Sequence, residues 1–178
     1  MRKEFLEISV GELISVTGGI LAGTLLATLT NKIFIIPGIF ILMPGFLEMK
    51  GNIFGSLAAR LGTGLHLGTI GTNKIMTRPI IENVIASFLL SIIVSIALGL
   101  MAYVATIIFF KSSDISILFV SILASIISSL ILIPLTVKST LWLYKRDYDP
   151  NNIMGPYVTT VGDVVSIVSI LLAILIVI

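Results

Sequence analysis

Hydrophobic positions in this chain fall into long runs, and polar residues gather at the ends of those runs instead of alternating along them. The runs cover about Ile8–Leu29, Ile33–Gly64, Ile80–Phe110, Ile115–Leu135 and Gly155–Ile178, with a polar stretch from His66 to Pro79. A helix needs about 20 mostly apolar residues to cross the hydrocarbon core. The pattern therefore predicts an all-α integral membrane protein with five transmembrane helices, over 8–29, 33–64, 80–110, 115–135 and 155–178. These form a single transmembrane domain spanning 1–178, with no soluble regulatory domain. Arg2 and Lys3 ahead of an apolar run resemble the start of a signal peptide, but Glu4, Glu7 and Glu12 and the lack of a clean A-x-A site argue against cleavage.

The second run differs from the others. Its segment "GFLEMKGNIFGSLAARLGTG", residues 45–64, carries Glu48, Lys50, Asn52 and Arg60. As one unbroken helix from 33 to 64 it would be roughly 48 Å long, more than the core requires. Pro37 and the pair Pro44-Gly45 predict that this helix is kinked or broken. In the first run, Gly18, Gly19, Ala22 and Gly23 place small residues on neighbouring faces, suited to close helix packing.

Basic residues in the short connections set the orientation. Arg2, Lys3, Lys74, Arg78, Lys138, Lys145 and Arg146 lie on one side, and Lys32 and Lys111 on the other. The N terminus is expected in the cytoplasm and the C terminus outside. Hydrophobic residues make up 57% of the 178 residues and charged ones 11%, with a mean hydropathy of +1.17, which departs far from a soluble domain. A net charge of +2 from scattered basic residues gives no nucleic-acid surface. Without cysteine there is no disulfide, thiolate metal site or Cys nucleophile. A five-helix unit leaves little interior for an ion path, so a path between two copies, in a homodimer, is the expectation.

Chemistry concentrates at two places. Asp163, in "GPYVTTVGDVVSIV", stands about 12 Å into a helix that starts near Gly155, and intramembrane acids usually face a bundle interior or a wet path. Thr159 and Thr160 can share its face, and Asn152 and Pro156 continue that stripe. Back-bonding to their own helix is the alternative for the two threonines. In the second helix Glu48, Asn52, Gly55 and Ala59 share a face that offers hard oxygen ligands among small residues. Structural helix contact is the alternative for Asn52 and Gly55. Lys50 is about 200° out of phase with that face, so it is expected to snorkel to an interface or pair with an acid. Arg60 is expected to pair with an acid or anchor its end of the helix. His66 is expected in a loop, since no second His or Cys stands at a ligand spacing. Asp147, Asp149 and Asn151 read as a polar turn opening the last helix. "YD" at 148–149 and "GD" at 162–163 echo intramembrane aspartyl proteases. Thr160 replaces the first motif glycine, however, and Asp149 lies in a turn, so no carboxylate pair forms and no enzyme is expected.

The stretches "MPGFLEMKGNIFGSLAARLGTG" and "DPNNIMGPYVTTVGDVVSI" resemble paired signatures of magnesium transporters. The resemblance is to the membrane domain of the MgtE family and, through Lys50-Gly51-Asn52 and "SLAARL", still more to solute carrier family 41. It covers about residues 10–175. It implies a five-helix protomer, a two-fold dimer with the ion path at or near its interface, and an acid in the last helix that binds hydrated magnesium. Asp163 matches that acid, and Asn52 matches the asparagine that follows Gly51. Magnesium dehydrates reluctantly, so a carboxylate from each subunit with several carbonyl or amide oxygens can hold it through its waters. MgtE proteins usually carry cytoplasmic N and CBS domains, whereas about seven residues precede the first run here. Animal solute carrier family 41 proteins hold two copies of this unit, which favours a dimer of this chain. MgtE often has a second glycine where Lys50 stands.

The expectation is thus magnesium transport across the plasma membrane by a homodimer, with Asp163, Asn52, Glu48, Thr159, Thr160 and Gly51 around the ion. Magnesium is the substrate, and no cofactor is expected. A sodium- or proton-coupled divalent cation exchanger, in which Asp163 and Glu48 trade ions, is the alternative within transport. A non-conducting membrane subunit is the alternative outside it.

Overall fold

The computed structural model describes residues 2–33, 36, 38–72 and 77–178, leaving aside the side chains at 2, 29 and 31–33. The bend expected at Pro37, and the Arg2, Lys32 and Lys74 side chains used for orientation, lie outside the described residues. The chain forms α1 (Arg2–Ile33), α2 (Ile39–His66), α3 (Arg78–Phe110), α4 (Ser116–Lys145) and α5 (Pro150–Val177), with no strand among the described residues. It is an all-helical membrane protein. Among the described residues, four helices, α1, α3, α4 and α5, are long and apolar enough to cross a bilayer. α2 is not among those four because Glu48, Lys50, Arg60 and its glycines dilute its apolar face, although α3, α4 and α5 all pack on it. α2 and α5 form the middle of the bundle, and α1 lies against α5.

Several boundaries move from the sequence expectation, each for a local reason. α2 begins at Ile39, not near Ile33, because Gly38 caps it at φ 82, a left-handed conformation that suits glycine. Thr106 of α3 packs where a Cβ on Gly38 would stand. Of the kink or break expected at Pro44-Gly45, the break is absent: the helix continues through both residues. Pro44 lies early in α2, where it removes one bond of the ladder, and buried Leu42, Met43 and Phe46 hold the turn around it. α4 continues to Lys145, past the expected end at 135, since Thr136, Val137, Thr140, Leu141 and Leu143 keep one face buried.

α5 begins at Pro150, not near Gly155. Asp149 is its N-cap and accepts a hydrogen bond from the Asn151 backbone N–H at 2.9 Å, with proline in the first turn. The polar turn read from "RDYDPNN" is therefore a helix start. Asp163 moves correspondingly, to roughly 20 Å along a 28-residue helix, near its middle.

Along Ser87–Thr106 of α3 and Ser121–Ser129 of α4 the buried positions are held by small side chains. α3 buries Ser87, Ser91, Ser95, Gly99, Ala102 and Thr106, while Leu89, Ile93, Met101 and Phe109 are exposed. α4 answers with buried Ser121, Ala124, Ser125, Ser128 and Ser129. Where lipid covers the outside, small interior residues let backbones approach closely and hydroxyls bond across the gap. Ser121 Oγ donates to the Ser95 carbonyl at 2.7 Å, and Ser125 Oγ to that of Ser91 at 3.1 Å. On α1, Gly18 and Ala22 pack inward as expected for close contact, whereas Gly19 and Gly23 meet nothing within 4 Å.

Candidate cation site between α2 and α5

Two glycines set how closely α2 and α5 approach. A Cβ built on Gly62 would stand 2.6 Å from Asn151 Oδ1, and one on Gly51 3.1 Å from Thr159 Oγ1. The pairs run in opposite order along the two helices, so α2 and α5 cross antiparallel. Continuing that register brings Glu48 toward Asp163.

The polar residues at this crossing face outward. Asn52 Nδ2 donates to Glu48 Oε1 at 3.0 Å, a bond between successive turns of α2 that fixes both side chains on one face. Glu48, Asn52 and Thr159 are exposed and Asp163 is half-buried. Thr159 donates back to the Gly155 carbonyl at 3.1 Å, which leaves its oxygen free to accept. The set is two carboxylates, one amide and one hydroxyl, all hard oxygen donors suited to a hydrated divalent cation. No group of three or more His, Cys, Asp or Glu residues able to hold a metal occurs among the described residues.

Structure separates the two threonines that sequence grouped together. Thr160 is buried against Gly18 of α1 and donates to the Ser15 carbonyl at 3.4 Å. Asn152 likewise turns to α1, where its amide donates to Glu7 Oε2 at 3.0 Å, and Pro156 packs near Gly11. The stripe Asn152, Pro156, Thr160 is thus the α1-facing side of α5, and the Thr159–Asp163 side adjoins α2. Positions three and four residues before Asp163 diverge by one helical step, about 100°, which is enough to place them against different neighbours.

Lys50 neither snorkels nor meets an acid. It is fully buried between α2, α3 and α4. Its Nζ donates to Ser91 Oγ at 2.6 Å, Ser125 Oγ at 2.9 Å, Ser129 Oγ at 3.2 Å and the Ser125 carbonyl at 3.2 Å. The Phe46 and Phe54 rings lie 5.1 and 5.5 Å away. The reason is register: Phe46, Lys50, Phe54, Leu57 and Leu61 follow the buried stripe of α2, and the small faces of α3 and α4 leave room for the amine. Sequence reasoning missed this cage, although its signal was present in the four-residue spacing of Ser87, Ser91 and Ser95 and in phenylalanines four residues either side of Lys50.

Arg60 also finds neutral partners instead of an acid. Its Nε donates to Asn83 Oδ1 at 2.7 Å and its Nη2 to Ser87 Oγ at 2.9 Å, tying α2 to α3. His66 is the last residue of α2, not a loop residue. Its Nε2 lies 3.1 Å from Asp149 Oδ1, and its ring meets Tyr144 edge-on at 5.2 Å. This end of the bundle holds an open cavity of about 430 Å³ lined by Lys3, Glu7, His66, Tyr144 and Asp149 among others.

Residues 43–173 match a family model described as MgtE, divalent cation transporter. No solved structure matches the chain. The matched range contains the α2 and α5 residues of the crossing, but not α1.

Proposed function

Because the chain belongs to the MgtE family of divalent cation transporters, we propose that it carries magnesium across the plasma membrane as a homodimer. The path lies between two copies of the α2–α5 crossing. Asp163 from each protomer holds the hydrated ion, Glu48 and Asn52 line the approach, and Gly51 and Thr159 keep it narrow. The N terminus lies in the cytoplasm and the C terminus outside.

One observation carries this reading. The outward surface of the bundle is built from side chains such as Ile93, Phe109 and Leu130, yet the α2–α5 crossing presents Glu48, Asn52, Thr159 and Asp163 on that same surface. Charged side chains against lipid are costly, at about 3 kcal/mol near the bilayer centre. Facing a second copy across a wet path relieves that cost for both protomers at once. A C2 arrangement brings each acid opposite its equivalent, doubling the two carboxylates that one protomer supplies.

Uptake into proteoliposomes tests the proposal. Asp163→Asn keeps the side-chain size and removes the charge, and is expected to lower magnesium flux at least about tenfold, the scale of one lost charged hydrogen bond. Full flux in that variant, or full flux from protein shown to be monomeric in the membrane, would overturn the reading.

A further inference from the structure

Lys50 occupies the same turn of α2 as Glu48 and Asn52 but points to the opposite side, about 200° away from each. Its surroundings can hold the protonated amine. Four oxygens accept from the three N–H groups of one ammonium, and two aromatic faces flank it. Among the described residues no carboxylate belongs to this cage. The charged residues of α3 are Arg78 and Glu82, both in its opening turns, and those of α4 are Lys138 and Lys145, toward its far end. The nearest acids along α2 and across to α5 are the two at the crossing, Glu48 and Asp163.

We propose that Lys50 is a fixed internal cation of the transport path, a positioning residue that never touches the ion but sets how tightly it is held. When the path is empty, its charge offsets the mutual repulsion of Glu48 and Asp163. When a divalent ion enters, the same charge opposes it from across α2, so the ion is bound weakly enough to leave. Conduction needs that balance, since a site deep enough to capture an ion must also release it. The size of the effect follows from the geometry: at an effective dielectric near 20, a unit charge about one helix diameter, 10 Å, from a divalent ion shifts its binding constant by roughly two orders of magnitude. The serine cage suits this task because it holds the ammonium with neutral partners. A carboxylate there would cancel the charge.

This inference rests on the cation reading of the α2–α5 crossing, and its test keeps the two apart. The concentration dependence of magnesium flux is measured in proteoliposomes for the natural protein, Lys50→Met, Lys50→Gln, Lys50→Arg, Asp163→Asn and the double variant Lys50→Met with Glu48→Gln. Lys50→Met removes the charge at similar length, and Lys50→Gln offers the serines a neutral polar partner. Both are expected to lower the half-saturating concentration about tenfold or more and to lower the maximal rate. Lys50→Arg keeps both values near those of the natural protein. Adding Glu48→Gln to Lys50→Met is expected to raise the half-saturating concentration again, since it removes one of the two carboxylates whose pull Lys50 offsets. An unchanged or raised half-saturating concentration in the folded neutral variants would overturn the proposal, as would an equal shift in Lys50→Arg. If neither neutral variant folds, Lys50 serves assembly and the proposal falls. Full flux in Asp163→Asn would instead remove the cation reading beneath it.

Discussion

Gly51 on α2 and Thr159 on α5 are in direct apposition, so closely that a methyl group on Gly51 would stand 3.1 Å from the threonine hydroxyl oxygen. Two effects compete in Gly51→Ala. Alanine favours a helix over glycine by about 1 kcal/mol, while crowding a packed interface costs about 1–3 kcal/mol. Thr159 is exposed and can give by a few tenths of an ångström, so the two nearly cancel. Gly51→Ala is expected to leave thermal stability in detergent almost unchanged, and Gly51→Leu, which cannot be absorbed that way, to lower it clearly. If the crossing sets the width of the path, Gly51→Leu also lowers magnesium flux, and Thr159→Gly in the same protein restores part of it.

The separation of Thr159 from Thr160 gives a second prediction. Thr159→Val removes a hydroxyl beside Asp163, and Thr160→Val removes one buried against α1. Only the first is expected to change the half-saturating magnesium concentration, by about two- to fivefold for one neutral hydrogen bond. Thr160→Val is expected to act on stability alone, measured as the unfolding temperature. The opposite result would place the ion on the α1 side of α5.

Much of this arrangement was legible in the chain, because membrane helices announce themselves by length and apolarity and because Asp163 is conspicuous in such a setting. Glu48 and Asn52 share a face, as their four-residue spacing demands, and they bond to each other. What periodicity could not resolve was which neighbour each face meets. Thr159 and Thr160 are adjacent in sequence and both compatible with Asp163, and only the placement of α1 separates them. Lys50 departs from its expected place for a related reason. Its charge suggested an interface, but its position in the Phe46–Phe54 stripe and the serines of distant α3 and α4 decided its burial. Those partners lie 41, 75 and 79 residues away. The apolar run alone places the start of α5 too late, because its opening turn, Pro150–Met154, falls outside that run, although the Asp149 cap and Pro150 mark a helix start.

Arg60 gives a third prediction, in which the neutrality of its partners decides the outcome. Asn83 and Ser87 accept its hydrogen bonds at 2.7 and 2.9 Å, and no acid is among its partners. Hydrogen bonds from a charged donor contribute about 1.5–3 kcal/mol when buried and less when exposed, as Arg60 is. Arg60→Met keeps the apolar stem and is expected to cost about 1 kcal/mol. Because no opposite charge is involved, raising the salt concentration should hardly change that loss. A loss that vanishes at high salt would mean that an ion pair holds Arg60 instead.

The junction between the end of α2 and the start of α5 gives a fourth. Asp149 Oδ1 accepts from the Asn151 backbone N–H at 2.9 Å and lies 3.1 Å from His66 Nε2, so one oxygen caps α5 and tethers α2. Asp149→Ala removes both contacts. Loss of the cap alone costs about 1 kcal/mol, and the half-exposed pair with His66 adds less than that, since solvent screens it. Asp149→Asn retains an oxygen for the cap and an acceptor for the ring, but not the negative charge. The unfolding temperature is therefore expected to fall most in Asp149→Ala and only slightly in Asp149→Asn. In a His66→Ala background, Asp149→Ala should still cost nearly its full amount, because the cap outweighs the tether. A cost that disappears in that background would show that the main role of Asp149 is to hold His66, and that the contact between the two helices, not the capping of α5, is what its carboxylate secures.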